Sequence, residues 1–194
     1  MEDVMKEALL VVDVDSLNHW DDEDWLKRNG RLAGVPVIKG IVDAEREQGG
    51  IVLFVVLDYK RPEYAWHQFA QDVQGCIGCD EQFASRLAPF LEHRHGERFE
   101  PVFAKKTNNA FMNTALTEFL LERNIEKIKL IGCNLFQCLK DTAIGAVANG
   151  FHVTLLAKGA FPPFANEDGK AWWRDNIIFY NSSEGTHMSV TVEE

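Results

Sequence analysis

The chain has 194 residues, a length that suits one ordinary domain, and its 46% hydrophobic and 26% charged content is a globular balance that excludes intrinsic disorder. Its 20 Lys+Arg against 30 Asp+Glu give a formal net charge of -10, which disfavours binding to nucleic-acid phosphates and to anionic membrane surfaces. The longest apolar run, IVLFVVL (51–57), is far below the roughly 20 residues of a spanning helix, and MEDVMKEALL has no basic region ahead of an apolar stretch. The expectation is a cytoplasmic protein whose four cysteines act as separate thiols in a reducing compartment.

In chain order, ALLVVDV (8–14) is a continuous apolar run of the kind that forms a strand covered on both faces. A helix follows, with Pro36 in its first turn and Ile38, Ile41, Val42 and Glu45 at helical spacing, ended by Gly49-Gly50. IVLFVVL (51–57) is a second buried strand, and a long irregular stretch leads to a short strand, PVFA (101–104). Leu116, Phe119 and Leu120 mark one face of a helix. IEKIKLIG (125–132) is a strand, 137–149 a helix stopped by Gly150, and FHVTLLA (151–157) the next strand. Trp173, Ile177 and Tyr180 have the spacing of an amphipathic last helix, and MSVTV (188–192) alternates like a half-exposed edge strand. Strand–helix alternation of this kind predicts a mostly parallel α/β sheet, in which ligands bind at the carboxyl ends of the strands near a topological switch point.

Three polar residues stand at such strand ends. Asp13 closes the first apolar strand, where burial favours the neutral acid unless a cation or hydrogen bonds compensate. Lys105 follows the third strand in VFAKKTNNAF. Cys138, in IGCNLFQCLKDTAIGA, sits a few residues past a strand end at the start of a helix, where free N–H groups and the helix dipole favour a thiolate. A nearby ammonium lowers a thiol pKa further, and a carboxylate accepts its proton. Taken singly, each has a plainer reading: a capping carboxylate, a solvated lysine, a small buried hydrophobe.

Together these segments resemble the isochorismatase-like cysteine hydrolases, the superfamily that includes nicotinamidases and N-carbamoyl amide hydrolases. The family pattern places an Asp at the end of the first strand, here Asp13. It places a Lys six residues before a Phe, here Lys105 with Asn109, Ala110 and Phe111, then Thr114-Ala115-Leu116. It places a Cys six residues after a Gly, here Gly132 and Cys138 with Leu139, Thr142 and Ala143. The resemblance implies a single hydrolase domain over residues 1–194, a three-layer α/β/α fold and a six-stranded sheet in the order 3-2-1-4-5-6. It further implies an Asp13–Lys105–Cys138 triad cleaving an amide-type C–N bond of a small molecule through a Cys thioester. Backbone N–H groups of Asn134 and Cys138 form the implied oxyanion hole, beside a cis peptide at Cys133–Asn134. No cofactor is expected, and family members are usually homo-oligomers, which implies a dimer or tetramer.

The sequence departs from the family pattern at three points. D-x-Q is replaced by Asp13-Val14-Asp15, which adds a carboxylate. The D-x-H of metal-binding nicotinamidases reads Asp58-Tyr59-Lys60, with His67 beyond, so no metal is expected. In place of the usual Asp after the fifth strand stand Lys158 and Gly159. Asp15, Trp20, Lys60, Phe111 and Phe136 are candidate pocket residues, with Trp66, His67 and Phe164 as further aromatic or imidazole candidates. Cys76 and Cys79 form a CxxC without a second pair, read as loop thiols, and Cys133 as packing by the catalytic loop. Two other functions compete. VVDVDS resembles the D-x-D-x-[ST] opening of Mg-dependent haloacid-dehalogenase phosphatases, which leaves Cys138 unexplained and lacks a later acidic pair. A non-catalytic binding or assembly protein on the same fold is the second.

Overall fold

The computed structural model describes residues 6–14, 34–57, 69–70, 100–105, 107–112, 114–176, 178–181 and 186–194. Strand β1 (Glu7–Val12) is followed by α1 (Gly34–Glu47), β2 (Ile51–Leu57), β3 (Phe69–Ala70) and β4 (Val102–Lys105). Then come α2 (Leu116–Glu122), β5 (Lys127–Cys133), a π-helical turn (Leu135–Leu139), α3 (Lys140–Ala148), β6 (His152–Phe161), α4 (Glu167–Asn176), β7 (Ile178–Asn181) and β8 (Thr186–Glu193).

The sheet order is β3-β4-β2-β1-β5-β6-β8-β7. Its six parallel strands, β4-β2-β1-β5-β6-β8, have the expected 3-2-1-4-5-6 order, and β3 and β7 add antiparallel pairs at the two ends. The apolar run of β1 is continuous because the strand is covered twice. Ala8, Leu10 and Val12 face a core shared with Leu116, Phe119 and Leu120 of α2 and Ala143, Ala146 and Val147 of α3. Leu9 and Val11 face a second core with Ile38 and Val42 of α1. Both cores are fully removed from water at β1, the pattern of a central parallel strand in a three-layer sandwich.

Three helices end in the same way. Gly50 N–H donates to Glu45 O, Ile125 N–H to Leu120 O and Phe151 N–H to Ala146 O, each with a left-handed residue just before the donor: Gly49, Asn124 and Gly150. This is the Schellman arrangement, which satisfies the last carbonyls and turns the chain into the next strand.

The chain corrects the sequence reading at its C-terminal end. Helix α4 stops at Asn176, and Tyr180 lies in β7, which pairs with β8 as Tyr180↔His187; Ile177 is outside the described residues. Strand β8 is therefore the last parallel strand but not the sheet's edge, because β7 covers it. Strand β6 runs on to Phe161, so Lys158 and Gly159 lie within the strand and Pro162-Pro163 follow it. The helix expected over 137–149 splits into the π-helical turn and α3, with Cys138 inside the turn.

Candidate active site

The chain order runs outward from β1 through β2 to β4, then crosses to β5 on the other side of β1. The carboxyl ends of β1 and β5 therefore bound the switch point where parallel sheets bind ligands. Gly132 makes the close approach possible. It pairs with Val12 at φ 124°, and a Cβ there would lie 2.0 Å from the Val12 carbonyl oxygen.

Asp13 follows β1 in the left-handed region, φ 50°, a conformation that Asp tolerates better than most side chains. Two bonds hold its backbone: its N–H donates to Val55 O at 2.8 Å, and Cys133 Sγ donates to its carbonyl at 2.9 Å. Lys105 is the last residue of β4, which is separated from β1 by β2. Its side chain crosses that gap, two strand spacings of about 4.8 Å each, and Nζ reaches Asp13 Oδ2 at 2.8 Å. Nζ also donates to Thr107 O at 3.1 Å, and the Lys105 side chain is fully buried. Burial disfavours the ammonium, but attraction to Asp13 and then to Cys138 outweighs it, so Lys105 is held above the ordinary lysine value.

Cys138 is buried in the π-helical turn that follows β5, after a cis peptide at Cys133–Asn134. The Asn134 carbonyl accepts from Gln137 N–H at 3.0 Å and Leu139 N–H at 3.1 Å, which closes the turn. The electrostatics run against the expected thiolate. Burial, followed by the Asp13 charge, pushes the Cys138 thiol up to about 12, and the lowering influence of Lys105 does not offset them.

Asn108 was not singled out in the sequence, yet its Oδ1 accepts from Cys138 Sγ at 3.5 Å. The loop it stands on is latched to α3. Thr142 Oγ1 donates to Asn108 O at 3.2 Å and accepts from Ala110 N–H at 3.1 Å. Within the loop, Thr107 Oγ1 donates to Asn109 O at 3.1 Å, and Phe111 N–H donates to Asn109 Oδ1 at 2.8 Å. The signal in the sequence was slight: a polar loop residue three places after Lys105.

Of the candidate pocket residues, Phe111 is buried in the core that also holds Cys138, its ring 5.6 Å from that of Phe151. Phe136, two residues before Cys138, is 46% exposed and meets Phe164 and Trp172 edge-on at 6.3 Å each. Asp15, Trp20, Lys60, Trp66, His67 and the pair Cys76 and Cys79 lie outside the described residues. Among the described residues, no three His, Cys, Asp or Glu gather as a metal site would require, and no helix is long and apolar enough to cross a membrane. A surface groove of about 540 Å³ between α1 and the sheet is lined by Val37, Ile41, Lys129, Leu156 and Lys158 and shares no residue with the Asp13–Lys105–Cys138 cluster.

A three-layer α/β protein with a carboxylate, an ammonium and a cysteine converging at the switch point of a parallel sheet is the class that fold and site define. Comparison with known proteins narrows it. Residues 7–174 match the family model of the isochorismatase domain, and the chain belongs to the isochorismatase family. That is the family the sequence resemblance pointed to. Maleamate amidohydrolase of Pseudomonas putida is 24% identical over 131 residues, 66% of this chain and 59% of that protein. The chain therefore spans less than two thirds of that relative. An uncharacterised isochorismatase family protein of Bacillus subtilis, YrdC, is 27% identical over 183 residues, 93% of this chain and 87% of that one. The crystal structure of the Bacillus subtilis nicotinamidase superposes with a TM-score of 0.63 at 24% identity, covering 98% of this chain and 100% of the other.

Proposed function

We infer that the protein is a cysteine hydrolase that cleaves an amide-type C–N bond of a small molecule. The observation that carries this reading is the convergence at one sheet crevice of Lys105 Nζ on Asp13 Oδ2, 2.8 Å apart, with Cys138 electrostatically coupled to both. The names of two similar proteins, maleamate amidohydrolase and nicotinamidase, point to amides.

In the resting site Asp13 is the carboxylate and Cys138 the thiol. When a substrate carbonyl is bound over sulfur, Asp13 takes the thiol proton as the S–C bond forms. The negative charge passes from the Asp13 carboxylate through the developing thiolate to the substrate oxygen, so the site keeps the same net charge throughout. That is the role of a lysine placed between the two groups: it stabilises either anion. Backbone N–H groups of Asn134 and Cys138 are the proposed donors to the tetrahedral oxyanion, each worth about 3 kcal/mol of barrier in comparable sites. Asp13 then gives its proton to the leaving nitrogen, the C–N bond breaks, and water, deprotonated by Asp13, hydrolyses the thioester and returns the thiol. Phe136, exposed two residues before Cys138 and in contact with Phe164 and Trp172, is a proposed contact for the substrate.

The test is a screen of primary amides, N-carbamoyl compounds and ureido acids. Turnover is expected to be abolished by iodoacetamide and by Cys138→Ala, and to survive EDTA. A thioester mass on Cys138 in a quenched reaction completes the result. Activity that persists after Cys138 is blocked and needs Mg²⁺ overturns the reading in favour of the phosphatase alternative. Substrate binding without turnover in the intact protein favours the non-catalytic one. The same reading carries a single domain over 1–194, a cytoplasmic location and a homo-oligomer, dimer or tetramer, the last measurable by light scattering.

A further inference from the structure

We propose that Asn108 is a specificity-determining residue that restricts the nucleophile to carbonyl compounds bearing an N–H on the leaving nitrogen: primary and N-monosubstituted amides, carbamoyl and ureido groups, rather than esters or tertiary amides. The inference rests on the reading of Cys138 as nucleophile and goes beyond it.

The argument is one of placement. Asn108 Oδ1 lies 3.5 Å from Cys138 Sγ and accepts its hydrogen bond in the resting site. When the thiol proton goes to Asp13, that acceptor loses its donor. A carbonyl carbon brought within bonding range of sulfur carries its leaving atom about one bond length further on, within the reach of an acceptor this near. An amide nitrogen with an N–H replaces the lost donor; an ester oxygen or dialkylated nitrogen does not, and leaves the half-buried acceptor without that partner. The placement is rigid. The Asn108 carbonyl is held by Thr142 Oγ1 at 3.2 Å, and the same hydroxyl accepts from Ala110 N–H at 3.1 Å. Thr142 lies in α3, which follows directly on the π-helical turn that carries Cys138, so acceptor and nucleophile are referred to one continuous helical stretch.

The test uses two small neutral thiol reagents on the full-length protein. Iodoacetamide carries a carboxamide next to the attacked carbon; methyl methanethiosulfonate carries none. Second-order rate constants are measured for wild type and Asn108→Leu, with modification assigned to Cys138 by peptide mass spectrometry. The ratio of the iodoacetamide to the thiosulfonate rate is expected to fall roughly three- to tenfold in Asn108→Leu, the equivalent of one hydrogen bond. Asn108→Ser, a small polar replacement in a half-buried loop, is expected to lower the ratio likewise and stands in if leucine disturbs the fold. Asn108→Asp keeps the acceptor, so it is expected to keep the ratio while slowing both reagents. Labelling of Cys138 with a ratio unchanged in Leu and Ser overturns the role of Asn108 alone. Failure of both reagents to label Cys138 in the wild type overturns the proposed nucleophile and this inference with it.

Discussion

Cys138 is subject to opposing influences whose balance decides its chemistry. Burial and the Asp13 carboxylate raise its pKa, Lys105 lowers it, and the first two prevail, leaving it at about 12. Neutralising Asp13 removes one raising influence and leaves Lys105 in place. Asp13→Asn is therefore expected to lower the thiol pKa and speed alkylation by iodoacetamide at pH 7–8, even as it removes the proposed carrier of protons during turnover. Each unit of pKa lost multiplies the thiolate fraction by about ten while its intrinsic nucleophilicity falls by roughly threefold, a net gain of about threefold per unit. Loss of that proposed general acid–base is expected to lower kcat by about 10²–10⁴-fold. Faster alkylation with lost turnover is the signature; slower alkylation, or turnover retained, contradicts the assigned role. Asp13, Lys105 and Cys138 were legible in the sequence because each closes or follows an apolar strand. The sign of the Cys138 shift was not, because it depends on how deeply the turn is buried and on which charge lies nearer.

At the scale of elements, the helix that follows Cys138 and the loop that follows Lys105 meet at Gly145. A glycine inside a helix costs about 1 kcal/mol against alanine, so propensity alone favours Gly145→Ala. The structure opposes it: a Cβ there would lie 2.2 Å from Asn109 Oδ1, the atom that accepts from Phe111 N–H. Gly40, in α1, has no atom within 4 Å of such a Cβ. Gly40→Ala is expected to raise stability by about 0.5–1 kcal/mol with activity unchanged. Gly145→Ala is expected to give no gain in Tm and at least a tenfold loss in kcat/KM on whichever amide the screen identifies, because it displaces the loop that carries Asn108. Thermal melts and kinetics of the two variants side by side check the contrast; equal behaviour would mean that the loop is not held as described. Contacts of this kind explain what the sequence did and did not disclose. Continuous apolar runs marked β1 and β2 because central parallel strands have no polar face. The spacing of Trp173, Ile177 and Tyr180 suggests one helix, but β7 is set by its partner β8, and Phe179 and Tyr180 pair with Met188 and His187, a pairing that periodicity does not register. Nothing local marks Asn108, because it is held by the Thr142 latch, 34 residues away in sequence.

For the molecule as a whole, the buried cluster ties stability to pH on the alkaline side. Lys105 is held above its ordinary value, so its contribution is fully present below the unfolded lysine pKa and is lost as pH rises through the folded one. Cys138 acts in the same direction. Its thiol stays protonated in the fold up to about 12, whereas the unfolded chain loses that proton from about 9 upward. Between those values the folded state binds more protons than the unfolded state, so stability falls with pH, at most by about 1.4 kcal/mol per pH unit for one such group. The net charge of -10 adds a general repulsion that also grows with pH, and the two effects must be separated. Cys138→Ala does so, since it removes the thiol titration while leaving the overall charge at neutral pH unchanged. Urea midpoints are expected to fall for both proteins between pH 9 and pH 11, and to fall less steeply for Cys138→Ala. The difference between the two curves is expected to open only above pH 9. Parallel curves would show that the thiol titrates alike in folded and unfolded chains, and would remove the electrostatic basis for a resting thiol beside Asp13.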